Sequence, residues 1–184
     1  MTCIVGIVRG STVWLGGDSA ATRGDLAQVI IGDPKVVVRN DVAIGVVGSP
    51  KVLNAVAHGI TGFPTQHNAD DKDHVVGTLV PFLQAELAER GCVDKKGMMP
   101  TSALLVGYRA QLYVIHGNFQ VITPSMGFHA LGTGADVAIG SLLTTRGARD
   151  PRRRIHAALE AAAIGNAGVR PPFRIVSVGR RPAA

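Results

Sequence analysis

The first eighteen residues, Met1-Thr-Cys-Ile-Val-Gly-Ile-Val-Arg-Gly-Ser-Thr-Val-Trp-Leu-Gly-Gly-Asp18, constrain the chain more than any other stretch. Two β-rich runs, Thr2 to Arg9 and Thr12 to Gly17, flank the tight-turn pair Gly10-Ser11, the pattern of a β-hairpin. The first strand begins at once, with a hydroxyl residue in second place behind a removable methionine. Loss of Met1 would give Thr2 both a hydroxyl and a free α-amine. Such an amine titrates near ~7.7–8.0 and serves as a base near neutral pH. A threonine activated by its own amine is an established kind of nucleophile. Taken alone, Thr2 reads first as the opening residue of a strand, where threonine is common. The rest of the chain has to decide between the two.

At 184 residues the chain reads as a single domain over 1–184, long enough to bury a sizeable core. Hydrophobic residues make up 46%, which argues against disorder, yet no apolar run approaches the ~20 residues that span a bilayer. No charged-then-apolar leader precedes Thr2, so a cytoplasmic location and no membrane are expected. Cys3 and Cys92 are too few for a disulfide framework and form no metal spacing, which fits a reducing compartment; no metal and no cofactor are expected. Part of the net charge of +6 comes from Arg146, Arg149, Arg152, Arg153 and Arg154. No aromatic residue interleaves with them and no nucleic-acid motif surrounds them. A solvated loop or a contact with an acidic neighbouring subunit is therefore favoured over nucleic acid.

Along the chain, Asp18 to Thr22 ends the second strand, and Arg23-Gly24-Asp25 and Gly32-Asp33-Pro34 are turns. Lys35 then heads the apolar strand Val36 to Val38, and Arg39-Asn40-Asp41 turns into Val42 to Val47. Ser49 and Pro50 are a helix N-cap and first helical residue, with Val52, Leu53, Val56 and Ala57 following at helical spacing. After a polar loop over Thr61 to Ala69, Asp70 and Asp71 introduce a second helical pattern through Val75, Val76, Leu79, Phe82, Leu83 and Leu87. Gly91 closes it, and Pro81 is placed to kink or break it. Strands are expected over Ser102 to Gly107, Leu112 to Ile115, Phe119 to Ile122 and His129 to Leu131. Gly132-Thr133-Gly134 leads into a helix through Val137 to Leu143, Asp150-Pro151 opens a last helix, and Phe173 to Val178 is a final strand. Strands, two helices, strands, two helices and a strand make an α+β chain with sheets packed between helical layers.

This order and five of its motifs resemble the proteasome β-subunit family, and within it the bacterial HslV type. Thr2-Cys-Ile-Val-Gly6 resembles the family's mature N-terminus. Gly16-Gly-Asp18-Ser-Ala-Ala-Thr22 resembles its Gly-Asp-x-x-x-Thr segment, and Lys35, with one or two residues inserted before it, matches its active-site lysine. Ala43-Ile-Gly45-Val-Val-Gly48 resembles the glycine loop ahead of the first helix. Ala130-Leu-Gly132-Thr133-Gly134-Ala135 resembles the Ile-Gly-Ser-Gly motif ahead of the third. The resemblance covers residues 2 to 178. It implies a four-layer αββα sandwich of two mainly antiparallel sheets between helical layers, the N-terminal nucleophile hydrolase fold.

The resemblance further implies a threonine endopeptidase that cuts peptides or unfolded proteins inside a homo-oligomeric ring, with a double ring and an ATPase unfoldase as expected partners. The family's catalytic positions carry over to Thr2 as nucleophile, Asp18, Lys35, Gly45 as backbone oxyanion donor, and Thr133. Substrate-lining positions carry over to Thr22, Ala43 and Val47, with Asp33 at the rim. The chemistry is coherent: a nearby ammonium lowers the proton affinity of the α-amine by like-charge repulsion and stabilises developing negative charge. Two departures stand out. Thr133 replaces a serine. The acidic residue and the serine that many members carry after the last helix are not evident in Ile164 to Gly168, where Asn166 can replace one of them by hydrogen bonding but cannot carry charge. A catalytically silent assembly subunit that keeps Met1, or an N-terminal nucleophile amidase acting on a small amide, are the competing readings.

Overall fold

The computed structural model describes residues 1–22, 28–64 and 71–179. The expected Arg23-Gly24-Asp25 turn, the end of the polar loop and Asp70 lie outside these residues. The chain opens with β1 (Cys3–Arg9) and β2 (Thr12–Gly17), which pair antiparallel with Arg9 opposite Thr12, as the hairpin pattern requires. Next come β3 (Ala20–Thr22), β4 (Gln28–Ile30), β5 (Val36–Arg39), β6 (Val42–Val47) and the helix α1 (Pro50–Asn54). A second helical run holds α2 (Asp71–His74) and α3 (Val80–Glu89), followed by β7 (Ala103–Tyr108), β8 (Gln111–Ile115), β9 (Val121–Ile122) and β10 (Phe128–Gly132). The chain closes with α4 (Ala135–Thr144), α5 (Pro151–Gly165) and β11 (Arg174–Gly179).

Two antiparallel sheets result, one in the order β10-β1-β2-β11 and one in the order β5-β6-β7-β8-β9, with β3 and β4 pairing separately. Side chains alternate faces along a strand, and the packing follows that period of two. From β1, Cys3, Val5 and Ile7 pack beneath α4 and α5 with Leu142, Ile155 and Leu159. Ile4 points the other way and, with Val13 and Leu15, meets Val36, Leu105 and Leu112 of the second sheet. Beyond that sheet, Ile44, Val46, Leu104 and Val106 pack under Val52, Val56, Leu79 and Leu83 of the first helical pair. The layers therefore run helix, sheet, sheet, helix, the αββα order expected.

The sheets pack tightly at Gly45, where a Cβ would overlap Ile4 Cγ2. Both helical runs of the first layer contain a widened, π-type turn, at Ala55–Gly59 and at Val75–Leu79. In the second run the Val80 N–H donates to the Val75 carbonyl, five residues back. Pro81 accounts for this turn: it has no N–H, and in a regular helix its ring would meet the carbonyl of Gly77. The helix thus widens ahead of Pro81 instead of breaking there. The strand expected over Phe119 to Ile122 shrinks to β9, because Phe119 adopts φ +62° in a turn.

The arginine cluster is less solvated than its sequence pattern implies. The buried Arg154 guanidinium donates to the Leu142 carbonyl at 2.9 Å and stands 5.9 Å from the Phe128 ring, with burial the main cause that lowers its pKa. Arg152 stands 5.8 Å from the ring of Trp14. No helix among the described residues is long and apolar enough to cross a membrane.

Gly45→Ala should destabilise the fold by about 1–3 kcal/mol, the usual cost of overpacking a filled core. Urea denaturation checks it through a lowered midpoint at unchanged slope.

Candidate active site

The residues singled out around Thr2 lie within a step or two of a strand end, and the strands bring these ends together. Thr2 precedes β1, Asp18 follows β2, Lys35 precedes β5 and Thr133 follows β10. The pairing of Cys3 with Gly132 sets Thr2 beside Thr133, and the Lys35 carbonyl accepts the Val46 N–H at 2.9 Å. Three of the expected residues make one hydrogen-bonded group. Lys35 Nζ donates to Asp18 Oδ1 at 2.8 Å, to Thr2 Oγ1 at 3.0 Å and to the Ala20 carbonyl at 2.6 Å.

Asp18 is fixed from several directions. Its Oδ1 also accepts the Cys3 N–H at 3.0 Å, and its Oδ2 accepts the N–H groups of Ala20 at 3.0 Å and Arg170 at 3.4 Å. All three side chains are buried. Burial is the main influence on Lys35 and lowers its pKa from the ordinary lysine value, while the charge and hydrogen bond of Asp18 oppose that shift. The neighbouring thiol is not a rival nucleophile. Cys3 faces the α4 and α5 layer, and burial first, then the Asp18 charge, push its pKa up to about 12.

Met1 occupies the other side of Thr2. Its carbonyl accepts the Thr2 hydroxyl at 2.6 Å, and its side chain lies against Gly168 so closely that a Cβ there would overlap it. The Thr2 carbonyl accepts the Gly134 N–H at 3.4 Å and the Thr133 hydroxyl at 3.5 Å. Asn166 acts one step further out: its amide donates to the Thr133 carbonyl at 3.0 Å, and its oxygen accepts the Gly168 N–H at 2.9 Å. Arg170, which nothing in the local sequence marks, clamps the same loop by donating to the carbonyls of Ala163, Asn166 and Val169.

A cavity of about 210 Å³ opens beside Thr2, lined among others by Thr22, Ile31, Asp33, Lys35, Val46 and Gly48. Thr22 and Asp33 thus lie where the sequence pattern puts them. Ala43 and Gly45 do not line the cavity, and Val47 borders only a second opening at Thr2. Ala43 and Val47 belong to the core between the two sheets, and Gly45 faces Ile4 in the same layer. Val46, on the opposite face of β6, and Gly48, just past the end of that strand, line the cavity instead. Gly48 also borders the second opening, shared with Gly132 and Thr133. Gly48, at φ +100°, must be glycine, since a Cβ there would overlap the Thr101 carbonyl. Among the described residues no cluster of three His, Cys, Asp or Glu side chains could hold a metal.

The four-layer αββα arrangement is a fold also seen in HslV. No protein-family model and no curated protein sequence matches the chain. Solved structures share its fold over nearly its whole length. BPH from Thiobacillus denitrificans in complex with epoxomicin superposes with a TM-score of 0.81 at 15% identity, covering 98% of this chain and 100% of that one. A second structure of that BPH gives 0.80 at 15%, with 98% and 100% covered. Eukaryotic HslV from Trypanosoma brucei gives 0.72 at 21%, covering 97% of this chain and 99% of its own.

Cys3 should resist iodoacetamide at pH 8 in the native protein and react after unfolding in guanidinium. Peptide mass mapping checks this, and rapid native labelling at Cys3 would contradict the buried, protonated thiol.

Proposed function

We propose that the chain is a threonine-type endopeptidase whose nucleophile is Thr2 once Met1 has been removed. The observation that carries this reading is the placement of Lys35 Nζ, 3.0 Å from Thr2 Oγ1 and 2.8 Å from Asp18, at the wall of an open cavity. In this reading Thr2 Oγ attacks the peptide carbonyl carbon while the α-amine of Thr2 takes the hydroxyl proton, directly or through a water. Asp18 favours the ammonium form of Lys35 against the effect of burial, and that charge lowers the proton affinity of the neighbouring α-amine, so that the amine is unprotonated and available as the base. The Gly48 N–H, not that of Gly45, holds the oxyanion, since Gly48 lines both openings beside Thr2. The proton passes to the leaving amine, and water then cleaves the ester on Thr2. Thr133, steadied by Asn166, positions the Thr2 backbone.

The reading extends to one peptidase domain over 1–184 that works in a homo-oligomeric ring, a double ring with an ATPase unfoldase as partner, in the cytoplasm. One open domain has little else to keep folded proteins from Thr2. A second reading, the silent assembly subunit, draws on Met1: while it stays, the Thr2 nitrogen is an amide, and the Met1 side chain fills the place over Gly168.

Intact mass separates the two. Loss of one methionine together with turnover of a fluorogenic peptide supports the peptidase; a retained Met1 with no turnover supports the silent subunit. In the active form Thr2→Ala should abolish turnover while leaving assembly unchanged, and Thr2→Ser should keep part of it. Lys35→Met should lower kcat by about 100-fold or more, the usual range for losing one charge-stabilising group, and Lys35→Arg should rescue poorly. Epoxomicin, bound in the Thiobacillus neighbour, should block the wild-type activity.

A further inference from the structure

The cavity beside Thr2 carries one charge that the chemistry at Thr2 does not use. Asp33 is the one acidic side chain among the described lining residues, and Ile31, Val46 and Leu53 give the rest of the wall an apolar surface. Lys35 lines the same space but cannot neutralise it, because its ammonium donates to Asp18, Thr2 and Ala20. Among the described residues Asp33 pairs with His58, whose Nε2 stands 3.5 Å from Oδ1 and which is charged only when protonated. Both side chains are more than half exposed, so solvent screens this pair and a competing cation can displace it. The volume of about 210 Å³ is several times the ~30 Å³ share of one water, enough for a side chain to enter.

From this arrangement we infer that Asp33 is a specificity residue, selecting substrates with arginine or lysine before the cleaved bond. The inference rests on the cavity being the substrate cavity of the proposed peptidase. An arginine side chain matches both halves of the wall. Its three-carbon stem lies along Ile31, Val46 and Leu53, and its guanidinium reaches a carboxylate that it can bind through two parallel hydrogen bonds. A leucine fills the apolar part but leaves Asp33 to water, so it binds less tightly without being excluded. A glutamate brings a like charge to Asp33 and is rejected.

Binding and cleavage are read separately to test this. Acetylated dipeptide amides ending in arginine, leucine or glutamate are titrated into the full chain by NMR, and the matching fluorogenic peptides are assayed for turnover. The arginine amide should bind on the order of ten-fold more tightly than the leucine amide, with glutamate weakest. Asp33→Asn should bring arginine and leucine within two-fold of each other while leaving leucine binding unchanged, and Asp33→Lys should favour glutamate. An arginine preference that survives Asp33→Asn, tighter binding of leucine or glutamate by the wild type, or no binding of the arginine amide at millimolar concentration overturns the inference. Turnover without an Asp33-dependent preference removes this inference and leaves the peptidase. Asp33-dependent binding without turnover supports the inference about the cavity and removes the peptidase.

Discussion

The buried pair of Asp18 and Lys35 is the contact on which the rest of the site depends. It joins the end of β2 in one sheet to the start of β5 in the other, across the 2.8 Å between Oδ1 and Nζ. Two charges withdrawn from water cost more in desolvation than their attraction returns unless further hydrogen bonds satisfy them. Here they do. Asp18 accepts three backbone N–H groups besides the ammonium, and Lys35 has further oxygen acceptors in Thr2, Ala20 and, at 3.5 Å, the Met1 carbonyl. The pair therefore acts less as a source of stability than as a fixed point. The Thr2 hydroxyl, the β3 carbonyl of Ala20 and the loop before β11 are all located by reference to it.

Around that point the construction is layered by function. The interior between the sheets is apolar and tight enough at Gly45 to exclude even a methyl group, so the strands cannot slide past one another. Strand ends hold polar groups at the border of this core, where the backbone N–H and carbonyl groups of Cys3, Ala20, Gly134 and Arg170 are free to bond side chains or one another. The loop of Asn166, Gly168 and Arg170 adds a brace from the opposite helical layer. Thr2 is thus held through its hydroxyl from one sheet and through its carbonyl from the turn after β10.

Most of the layer order was legible because its signals are local. The alternation of β1, the Ser49 and Asp150 caps and the glycine turns each follow from a few neighbouring residues. Thr2, Asp18 and Lys35 were legible through their motifs. The facing of β6 was not, and the reason is physical: Val42 to Val47 is buried on both faces, so no polar residue marks which side looks toward the helices. A one-residue uncertainty in such a strand exchanges its two faces completely, which is why the sequence points to Ala43 and Gly45 where Val46 and Gly48 line the cavity. Arg170 escaped notice for a different reason. Its partners are carbonyls, which every residue has, so no side-chain pattern announces the clamp.

The widened turn at Val75–Leu79 bears on how this chain is aligned with others of its fold. Val75, Leu79, Leu83 and Leu87 are all buried, and they recur every fourth residue, whereas a regular helix repeats every ~3.6. Left uncorrected, that spacing would carry the apolar stripe around the helix and away from the sheet. The wide turn takes up the surplus and returns the stripe to one side. A relative with one residue fewer before its counterpart of Pro81 needs no wide turn to present the same face. In sequence comparison, the place for a single-residue gap in this helix is therefore between Val75 and Leu79, and a gap set elsewhere would misplace every core position between it and that turn.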